Sequence, residues 1–299
     1  MNDATPGMQP VLEGGNFFEG LGWHEGHWYL SDSYGQRVLK ITPDGKVEEL
    51  VKFHREPLGL GHMPDGSLLI VSIEEGAVYR RHPDGSVKLH ADISALTGGV
   101  ANDMVTDATG RAYVTCPGFD VFTGEQPKAA PLIVIEPDGS ASIAAEDLLY
   151  PNGAVLTPDG GTLIVAETFG AQLRGYDVAA DGSLSNDRVW AKLAPTPSWD
   201  SFEEMMKVGF AVDGLSTTDA EGCVWVADAF NNRAARVGPD SEIRDEIRSP
   251  NGGIFDVALG GEDGRTLMCA TAPEYMNTIA SVNKDSILYQ LEVEVPLAD

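Results

Sequence analysis

Short runs of alternating apolar and polar residues recur along the whole chain. Runs such as "SLLIVSI" (67–73), "TLIVAET" (162–168) and "CVWVADA" (223–229) are also rich in β-branched residues. This pattern favours β-strands that bury one or both faces. A helical pattern occurs in "SWDSFEEMMKVG" (198–209), where Ser198 or Asp200 is placed to cap a short helix. The chain is therefore predicted to be all-β, with one short helix.

Turn tripeptides that end mostly in glycine separate these runs at regular intervals. Asp-Gly between apolar runs predicts a hairpin turn, because both residues tolerate a positive φ. Paired turns define units of four strands, the blade of a β-propeller. The leading turns fall at 26, 66, 110, 160, 222 and 264, so the intervals are 40, 44, 50, 62 and 42 residues. We predict a single domain over residues 1–299, a six-bladed β-propeller with four-stranded antiparallel blades, whose last blade ends near "NKDSILYQLEVEV" (283–295).

Two of the intervals are long because they contain insertions, at 116–131 and 192–210. Insertions in repeat proteins usually become loops on one face, which is often the binding face.

Oxygen-bearing side chains recur at one level of the predicted repeat. Seven to nine residues before the leading turn, four blades carry Glu19, Asn102, Asn152 and Asp213. The first strand of each blade lines the central channel of a propeller, so these residues are expected at one mouth of the channel. Crowded carboxylates would repel each other unless a cation binds them. The other two blades offer Glu56 or Pro57, and Phe255 and Asp256, at this level.

Each of these residues also has an ordinary structural interpretation. Asn-Gly and Asp-Gly are common turn pairs, Asn102 could cap a strand, and Glu19 could pair with an arginine. The recurrence in four repeats favours a metal site. All-oxygen ligation suits Ca²⁺ first and Mg²⁺ or Mn²⁺ next, with Zn²⁺ less suited. Asp103, beside Asn102, could support a ligand or sit in a turn.

Charge and cysteine content narrow the partners and the compartment. The chain has 46 acidic and 20 basic residues, a formal charge of −26. This balance argues against nucleic acid and anionic membrane partners, although it also suits solubility or adaptation to salt. Three cysteines without a CxxC motif favour a reducing compartment. Without a signal-peptide pattern or an apolar run of about 20 residues, we expect a cytoplasmic protein.

Other hydrolytic and nucleotide-dependent chemistries lack their motifs. The sequence contains no G-x-S-x-G, no H-E-x-x-H, no P-loop and no G-x-G-x-x-G after a strand. All six histidines precede residue 91, and Cys116 has no identifiable histidine partner, so we interpret it as an inert thiol.

Four motifs resemble one known family. "EGLGW" (19–23), "NDMVTDATGRAYV" (102–114), "PNGAVLTPDGGTLIVAET" (151–168) and "VDGLSTTDAEGCVWVAD" (212–228) are similar to the senescence marker protein / gluconolactonase / luciferin-regenerating enzyme family. The resemblance covers nearly the whole chain. It implies a six-bladed propeller that holds a divalent cation, usually calcium, through Glu19, Asn102, Asn152 and Asp213, with Asp213 also the general base of a lactonase. Propeller phosphotriesterases of the diisopropyl fluorophosphatase type use the same four residue types.

One departure from the family bears on the substrate. Sugar-lactonase members carry an arginine shortly before the first asparagine, whereas this chain has Val100 and Ala101. We therefore expect a smaller or more apolar lactone or ester. The predicted substrate contacts are Phe18, His54, Phe119, Trp199 and Phe230, although a lone histidine and loop aromatics often only pack.

The alternatives to lactone hydrolysis at the same site are organophosphate hydrolysis, an isomerase or other non-hydrolytic reaction, and a binding propeller with a structural cation. The assembly is expected to be a monomer or a homodimer.

Overall fold

A computed structural model describes residues 4–98 and 100–298. The opening residues, on which the expectation of no signal peptide partly rests, lie outside this range. The described strands form six four-stranded antiparallel sheets, named here blades 1 to 6. In chain order the strands are β1 (Gln9–Gly15), then β2 (Phe18–His24), β3 (His27–Asp32), β4 (Arg37–Ile41) and β5 (Val47–Lys52) of blade 1; β6 (Pro57–His62), β7 (Leu68–Ser72), β8 (Ala77–Arg81) and β9 (Val87–Asp92) of blade 2; β10 (Met104–Thr106), β11 (Ala112–Val114), β12 (Ala130–Ile135) and β13 (Ala141–Leu148) of blade 3; β14 (Pro151–Leu156), β15 (Thr162–Glu167), β16 (Gln172–Val178) and β17 (Leu184–Lys192) of blade 4; β18 (Val212–Leu215), β19 (Val224–Asp228), β20 (Arg233–Val237) and β21 (Ile243–Arg248) of blade 5; and β22 (Gly253–Gly260), β23 (Thr266–Ala272) and β24 (Ser286–Glu292) of blade 6.

The predicted fold class is confirmed: the chain is an all-β, six-bladed β-propeller. The predicted leading turns each join the first two strands of a blade, as Gly66 joins β6 to β7 and Gly264 joins β22 to β23. Gly66 has a φ of +79°, which a residue with a Cβ rarely adopts.

Aspartates stabilise hairpin turns of both kinds, between the first two strands and between the last two strands of a blade, by accepting nearby backbone N–H groups. The Asp84 carboxylate accepts the N–H of Ser86 at 2.9 Å, and Asp138 accepts that of Ser140 at 2.9 Å. This is the Asx turn, in which the side chain bonds to the backbone two residues later. The same hydrogen bond, from the N–H two residues later to the carboxylate, occurs at Asp65, Asp107, Asp159, Asp181, Asp219, Asp240 and Asp263.

Blade 6 is completed by the start of the chain. After β22, β23 and β24 the described residues supply no fourth strand, and β1 fills the outer position by pairing with β24, with Leu12 opposite Leu288. The end of blade 6 was predicted correctly from the sequence, but β1 was not. This pairing covers an otherwise open sheet edge.

Three short α-helices are described: α1 (Ser94–Thr97), α2 (Phe202–Met205) and α3 (Asn277–Asn283). The helix predicted over 198–209 is shorter than expected, and Ser201 rather than Ser198 or Asp200 caps it by accepting the N–H of Glu204 at 3.3 Å. None of the described helices is both long and apolar enough to cross a membrane.

The chain divides into two compact units. Unit 1 comprises Met1–Pro57 and Asp213–Asp299, and unit 2 comprises Leu58–Val212. Apart from their terminal residues, blades 1, 5 and 6 belong to unit 1, and blades 2, 3 and 4 to unit 2. The single domain over 1–299 stays a prediction.

Candidate metal and substrate site

Glu19 lies at the start of the first strand of blade 1. It is the second residue of β2, and only 8% of it is exposed. Glu19 pairs with Ser31 and Gly22 with Tyr29, so three steps along β2 oppose two steps along β3. The extra residue makes a β-bulge, a feature that re-aims side chains. The bulge therefore sets the direction in which the Glu19 carboxylate leaves the strand.

Asp213 occupies the corresponding place in blade 5. It follows Val212 at the start of β18 and is also 8% exposed. Its neighbour Gly214 packs so tightly that an added Cβ would lie 1.9 Å from Oδ1 of Asp256. Unit 1 thus contains two buried carboxylates, each at the start of an inner strand.

Unit 2 contains two carboxamides that are bonded to each other. Asn102 Nδ2 donates to Asn152 Oδ1 at 2.7 Å, and Asn152 Nδ2 donates to Thr168 Oγ1 at 3.3 Å. The Thr168 hydroxyl donates in turn to the carbonyl of Val212 at 2.7 Å. This chain of donors fixes both amide planes. A carbonyl oxygen has two lone pairs, so Asn152 Oδ1 keeps one for a further ligand.

The chemistry of the four predicted ligands suits a hard cation. They offer only oxygen donors, two carboxylates and two carboxamides, which Ca²⁺ and Mg²⁺ prefer. No group of three or more His, Cys, Asp or Glu side chains is clustered in the part of the chain that the structure describes. The predicted set contains only two carboxylates, so this absence does not bear on it.

The carboxylate of Asp103, beside Asn102, is bonded to backbone on two strands. Its Oδ1 accepts the N–H of Met104 at 2.8 Å, and the carboxylate also accepts the N–H of Ala154. Burial raises the pKa of Asp103 to about 7, while these two N–H groups lower it.

Unit 2 also contains an aromatic cluster, two members of which are close in sequence to Asn152 and Thr168. Phe119 lies 5.1 Å from Tyr150 and 5.9 Å from Trp199 between ring centroids. Tyr150 lies 5.0 Å from Phe169, and Trp199 Nε1 donates to the Phe169 carbonyl at 3.1 Å. Phe119 lies in the first insertion and Trp199 in the second. The structure therefore brings together two of the predicted substrate residues, one from each insertion. Phe119 is buried, and Trp199 is half-buried.

A second aromatic group lies in unit 1. Phe17 contacts Phe255 at 4.9 Å and Tyr34 at 5.6 Å between centroids, and Phe230 contacts Tyr275 at 5.8 Å. Burial raises the pKa of Tyr34, and the charges of Glu56 and Glu19 raise it further. The Tyr34 hydroxyl therefore lies within the field of the Glu19 carboxylate.

The remaining predicted substrate residues have contrasting surroundings. Phe18 is 1% exposed and packs in a hydrophobic cluster with Trp28 and Leu30. His54 is exposed, with its ring 4.8 Å from that of Phe53.

The three cysteines are free and buried. Cys116 Sγ donates to the Pro131 carbonyl at 3.1 Å, and burial raises its pKa to about 12. A thiol with so high a pKa is protonated at neutral pH, which agrees with its interpretation as inert.

A model of the "SMP-30/Gluconolactonase/LRE-like region" matches residues 17–273. The chain belongs to this family. The match includes strands of all six blades.

Named relatives and solved structures extend the family match. The chain is 26% identical over 252 residues to the 6-deoxy-6-sulfogluconolactonase of Pseudomonas putida, covering 82% of this chain and 79% of the relative. The calcium-binding protein regucalcin of Agrobacterium tumefaciens matches with a TM-score of 0.76 at 19% identity, over 98% of this chain and 97% of that one. A luciferin-regenerating enzyme matches with a TM-score of 0.79 at 18% identity, over the same shares. At such identities the structural matches show the fold.

Several residues of the candidate site were not predicted from the sequence. Thr168 orients Asn152, and Tyr150 belongs to the aromatic cluster, yet neither was singled out. Thr168 ends the motif that starts with "PNG" (151–153), and this position was the available signal. Asp256 was noted only as a residue of blade 6, because a contact between blades has no local sequence pattern.

Proposed function

We propose that this protein is a hydrolase that opens a lactone or a related ester with the aid of a divalent cation. The observation that carries the proposal is membership of the family over residues 17–273, together with a relative named as a lactonase over 82% of the chain. The proposed ligands are Glu19, Asn102, Asn152 and Asp213. Calcium suits this all-oxygen set first, and Mg²⁺, Mn²⁺ or Zn²⁺ come after it.

The orientation of the amides supports this ligand set. Asn102 uses its N–H to bind Asn152, which leaves its own Oδ1 to face another group. Asn152 is held by Thr168 from the other side. These bonds preset the two carboxamide oxygens of unit 2, and ligands that are preset favour affinity because they need little reorganisation on binding.

A divalent cation held by these four residues would polarise the lactone carbonyl and lower the pKa of a bound water. Asp213 acts as the general base: a carboxylate oxygen takes the proton of the attacking water while the water oxygen bonds to the carbonyl carbon. Asp213 then returns that proton to the ring oxygen as the acyl C–O bond breaks. The product is a hydroxy acid, and Asp213 ends as the carboxylate with which it began.

The proposed substrate is small or apolar. Position 101 is a fully buried alanine and position 100 a partly exposed valine, so neither side chain offers a hydrogen bond to sugar hydroxyls. Trp199, Phe230 and His54 are the proposed contacts because their surfaces are partly or fully exposed. Phe18 and Phe119 are buried and act through the residues they support. A cytoplasmic location and a monomeric or homodimeric state stay predictions.

A panel of lactones and esters tests this proposal. Hydrolysis would be followed with a pH indicator in metal-free protein, with Ca²⁺, Mg²⁺, Mn²⁺ or Zn²⁺ added separately. We expect calcium-dependent hydrolysis of short aliphatic lactones, faster than that of 6-deoxy-6-sulfogluconolactone or gluconolactone. Faster hydrolysis of the sugar lactones contradicts the substrate class. Hydrolysis of organophosphates alone, or calcium binding with no hydrolysis, contradicts the lactonase itself.

A further inference from the structure

Asp256 is a buried carboxylate that joins three strands of unit 1. It lies on β22 of blade 6 and is 4% exposed. Its Oδ2 accepts the N–H of Leu21 at 2.6 Å, and its Oδ1 accepts the N–H of Val257 at 2.8 Å. Hydrogen bonds from backbone N–H groups to a charged acceptor are among the stronger ones in proteins.

The bond to Leu21 reaches the bulge that carries Glu19. Leu21 lies two residues after Glu19, inside the irregular step between the Glu19–Ser31 and Gly22–Tyr29 pairs. A bulge leaves an extra backbone group outside the ladder. Asp256 satisfies that group and so fixes the bulge.

The other side of Asp256 touches the strand that carries Asp213. An added Cβ at Gly214 would lie 1.9 Å from Asp256 Oδ1 and 2.7 Å from its Cα. Only a glycine next to Asp213 allows this approach. Asp256 therefore contacts the backbone beside both proposed carboxylate ligands.

The same arrangement recurs independently in unit 2. Asp103 accepts the N–H of the next residue, Met104, at 2.8 Å, and that of Ala154, two residues after Asn152. The pairing of β14 with β15 is also irregular there, between Pro151 and Ala154. On the other side, an added Cβ at Gly59 of β6 would lie 2.7 Å from the Asp103 Cα.

Both aspartates thus accept the N–H of the next residue in the chain. Both also accept an N–H at the bulge of a neighbouring blade, blade 1 for Asp256 and blade 4 for Asp103. Each is packed against a glycine of the blade on its other side, blade 5 for Asp256 and blade 2 for Asp103. The local sequences are Asp-Val-Ala at 256–258 and Asp-Met-Val at 103–105, which share only the aspartate. Local sequence alone therefore does not explain why both aspartates make the same contacts. The two bulges they hold are those of Glu19 and Asn152.

We propose that Asp256 and Asp103 are positioning residues that clamp the bulges carrying Glu19 and Asn152 and so preset these ligands for the cation. This inference rests on the proposed function. Partners that orient metal ligands typically change metal affinity by about 10–100-fold when they are replaced.

Asp256→Asn and Asp103→Asn test the clamp. Asparagine fills nearly the same volume but replaces one acceptor oxygen by an NH₂ donor, so it cannot reproduce the two-oxygen arrangement in which Asp256 accepts Leu21 at Oδ2 and Val257 at Oδ1. Asp219→Asn is the matched control: Asp219 is 1% exposed and accepts the N–H groups of Glu221 and Cys223, but it lies in a turn of blade 5.

The readouts are calcium affinity by calorimetry, hydrogen exchange of the Leu21 and Ala154 amides in metal-free protein, and Tm. We expect calcium affinity to fall at least about 10-fold in both clamp variants and less than about 2-fold in Asp219→Asn, even though Asp219→Asn lowers Tm the most. We expect faster exchange at Leu21 in Asp256→Asn and at Ala154 in Asp103→Asn.

Two outcomes overturn the inference differently. Calcium binding by the wild type with unchanged affinity in both clamp variants overturns the clamp and leaves the proposed function standing. No calcium binding by the wild type overturns the ligand set and the clamp with it. Should one variant fail to fold, the other, in the other unit, gives the decision.

Discussion

Aspartates in the outer hairpin turns and at the starts of the inner strands have different roles. In the turns between the third and fourth strands of a blade, the carboxylates of Asp84 and Asp138 are exposed and accept the N–H of the residue two positions later. At the starting ends, Asp213 and Asp256 are buried, and Asp256 reaches backbone of another blade. Asp84 and Asp138 thus bond to backbone two residues away, whereas Asp256 bonds to Leu21, which is distant in sequence.

This contrast indicates where function resides in the fold. A carboxylate that only shapes a turn can be lost at a cost confined to that turn. One that is desolvated at a strand start is costly to keep unless it binds something, because burial disfavours the charged form. We expect substitutions at strand starts to change chemistry and those at turns to change stability.

The largest effect is expected from Asp213→Asn. Loss of the general base should lower kcat by about 10²–10⁴-fold, with little change in Tm. The measurement is kcat and KM on the best lactone of the panel. Asp240→Asn, in a turn of the same blade, is the control and should retain wild-type kcat. Full activity in Asp213→Asn would remove Asp213 from the role of base.

Asp219→Asn should have the largest effect on stability. Asp219 is 1% exposed, and its Oδ2 lies 2.6 Å from Arg236 Nε, itself 9% exposed. Breaking a buried pair by removing one partner typically costs about 3–5 kcal/mol; because Arg236 keeps Glu221, the lower end applies. Urea unfolding checks this cost, and kcat should stay within about 2-fold at temperatures where the variant is folded. A large loss of kcat at those temperatures would contradict the distinction between aspartates in turns and aspartates at strand starts.

Much of the fold follows from local pattern, and the failures are instructive. Five turn pairs and a sixth leading turn at Gly264 predicted the blades, because each turn is formed within a few residues. The strand β1 was missed because its partner, β24, lies at the opposite end of the chain, with Gln9 opposite Gln290. The α2 cap was misplaced because Ser198, Asp200 and Ser201 are all good caps, and packing decides between them.

In the candidate site, too, the residues that belong to a repeated pattern could be predicted, whereas contacts between distant parts of the chain could not. Glu19, Asn102, Asn152 and Asp213 could be singled out because repetition puts them in register. The bond between Asn102 and Asn152, and the reach of Asp256 to Leu21, could not be foreseen, because they depend on how neighbouring blades pack.

Glu19→Gln should weaken calcium binding by about 10-fold or more, since the amide keeps an oxygen donor but loses the charge that attracts a cation. Calorimetry on metal-free protein measures this change. Glu221→Gln, at a turn of blade 5, is the control and should bind calcium as the wild type does. Equal affinity in both variants would contradict the four-ligand set.

The smallest effect is expected from pH acting on the turns. Hydrogen bonds from Ser86 and Ser140 lower the pKa of Asp84 and Asp138 below the ordinary 3.8. A lowered folded pKa gives stability that is present above 3.8 and lost as pH falls through the folded value. Tm should therefore not change through these groups between pH 7 and about 5 and should fall slightly below about 4. Asp84→Asn with Asp138→Asn should reduce that acid-side slope, and an unchanged slope would contradict the role of the turns.

Lactone opening is proposed to require a cation held at the strand starts. The decisive experiment is the hydrolysis rate of metal-free protein during titration with calcium. We predict a rate near background without calcium that rises to saturation as one binding site fills. A metal-free protein that hydrolyses the lactone as fast as the calcium-loaded protein would contradict this requirement.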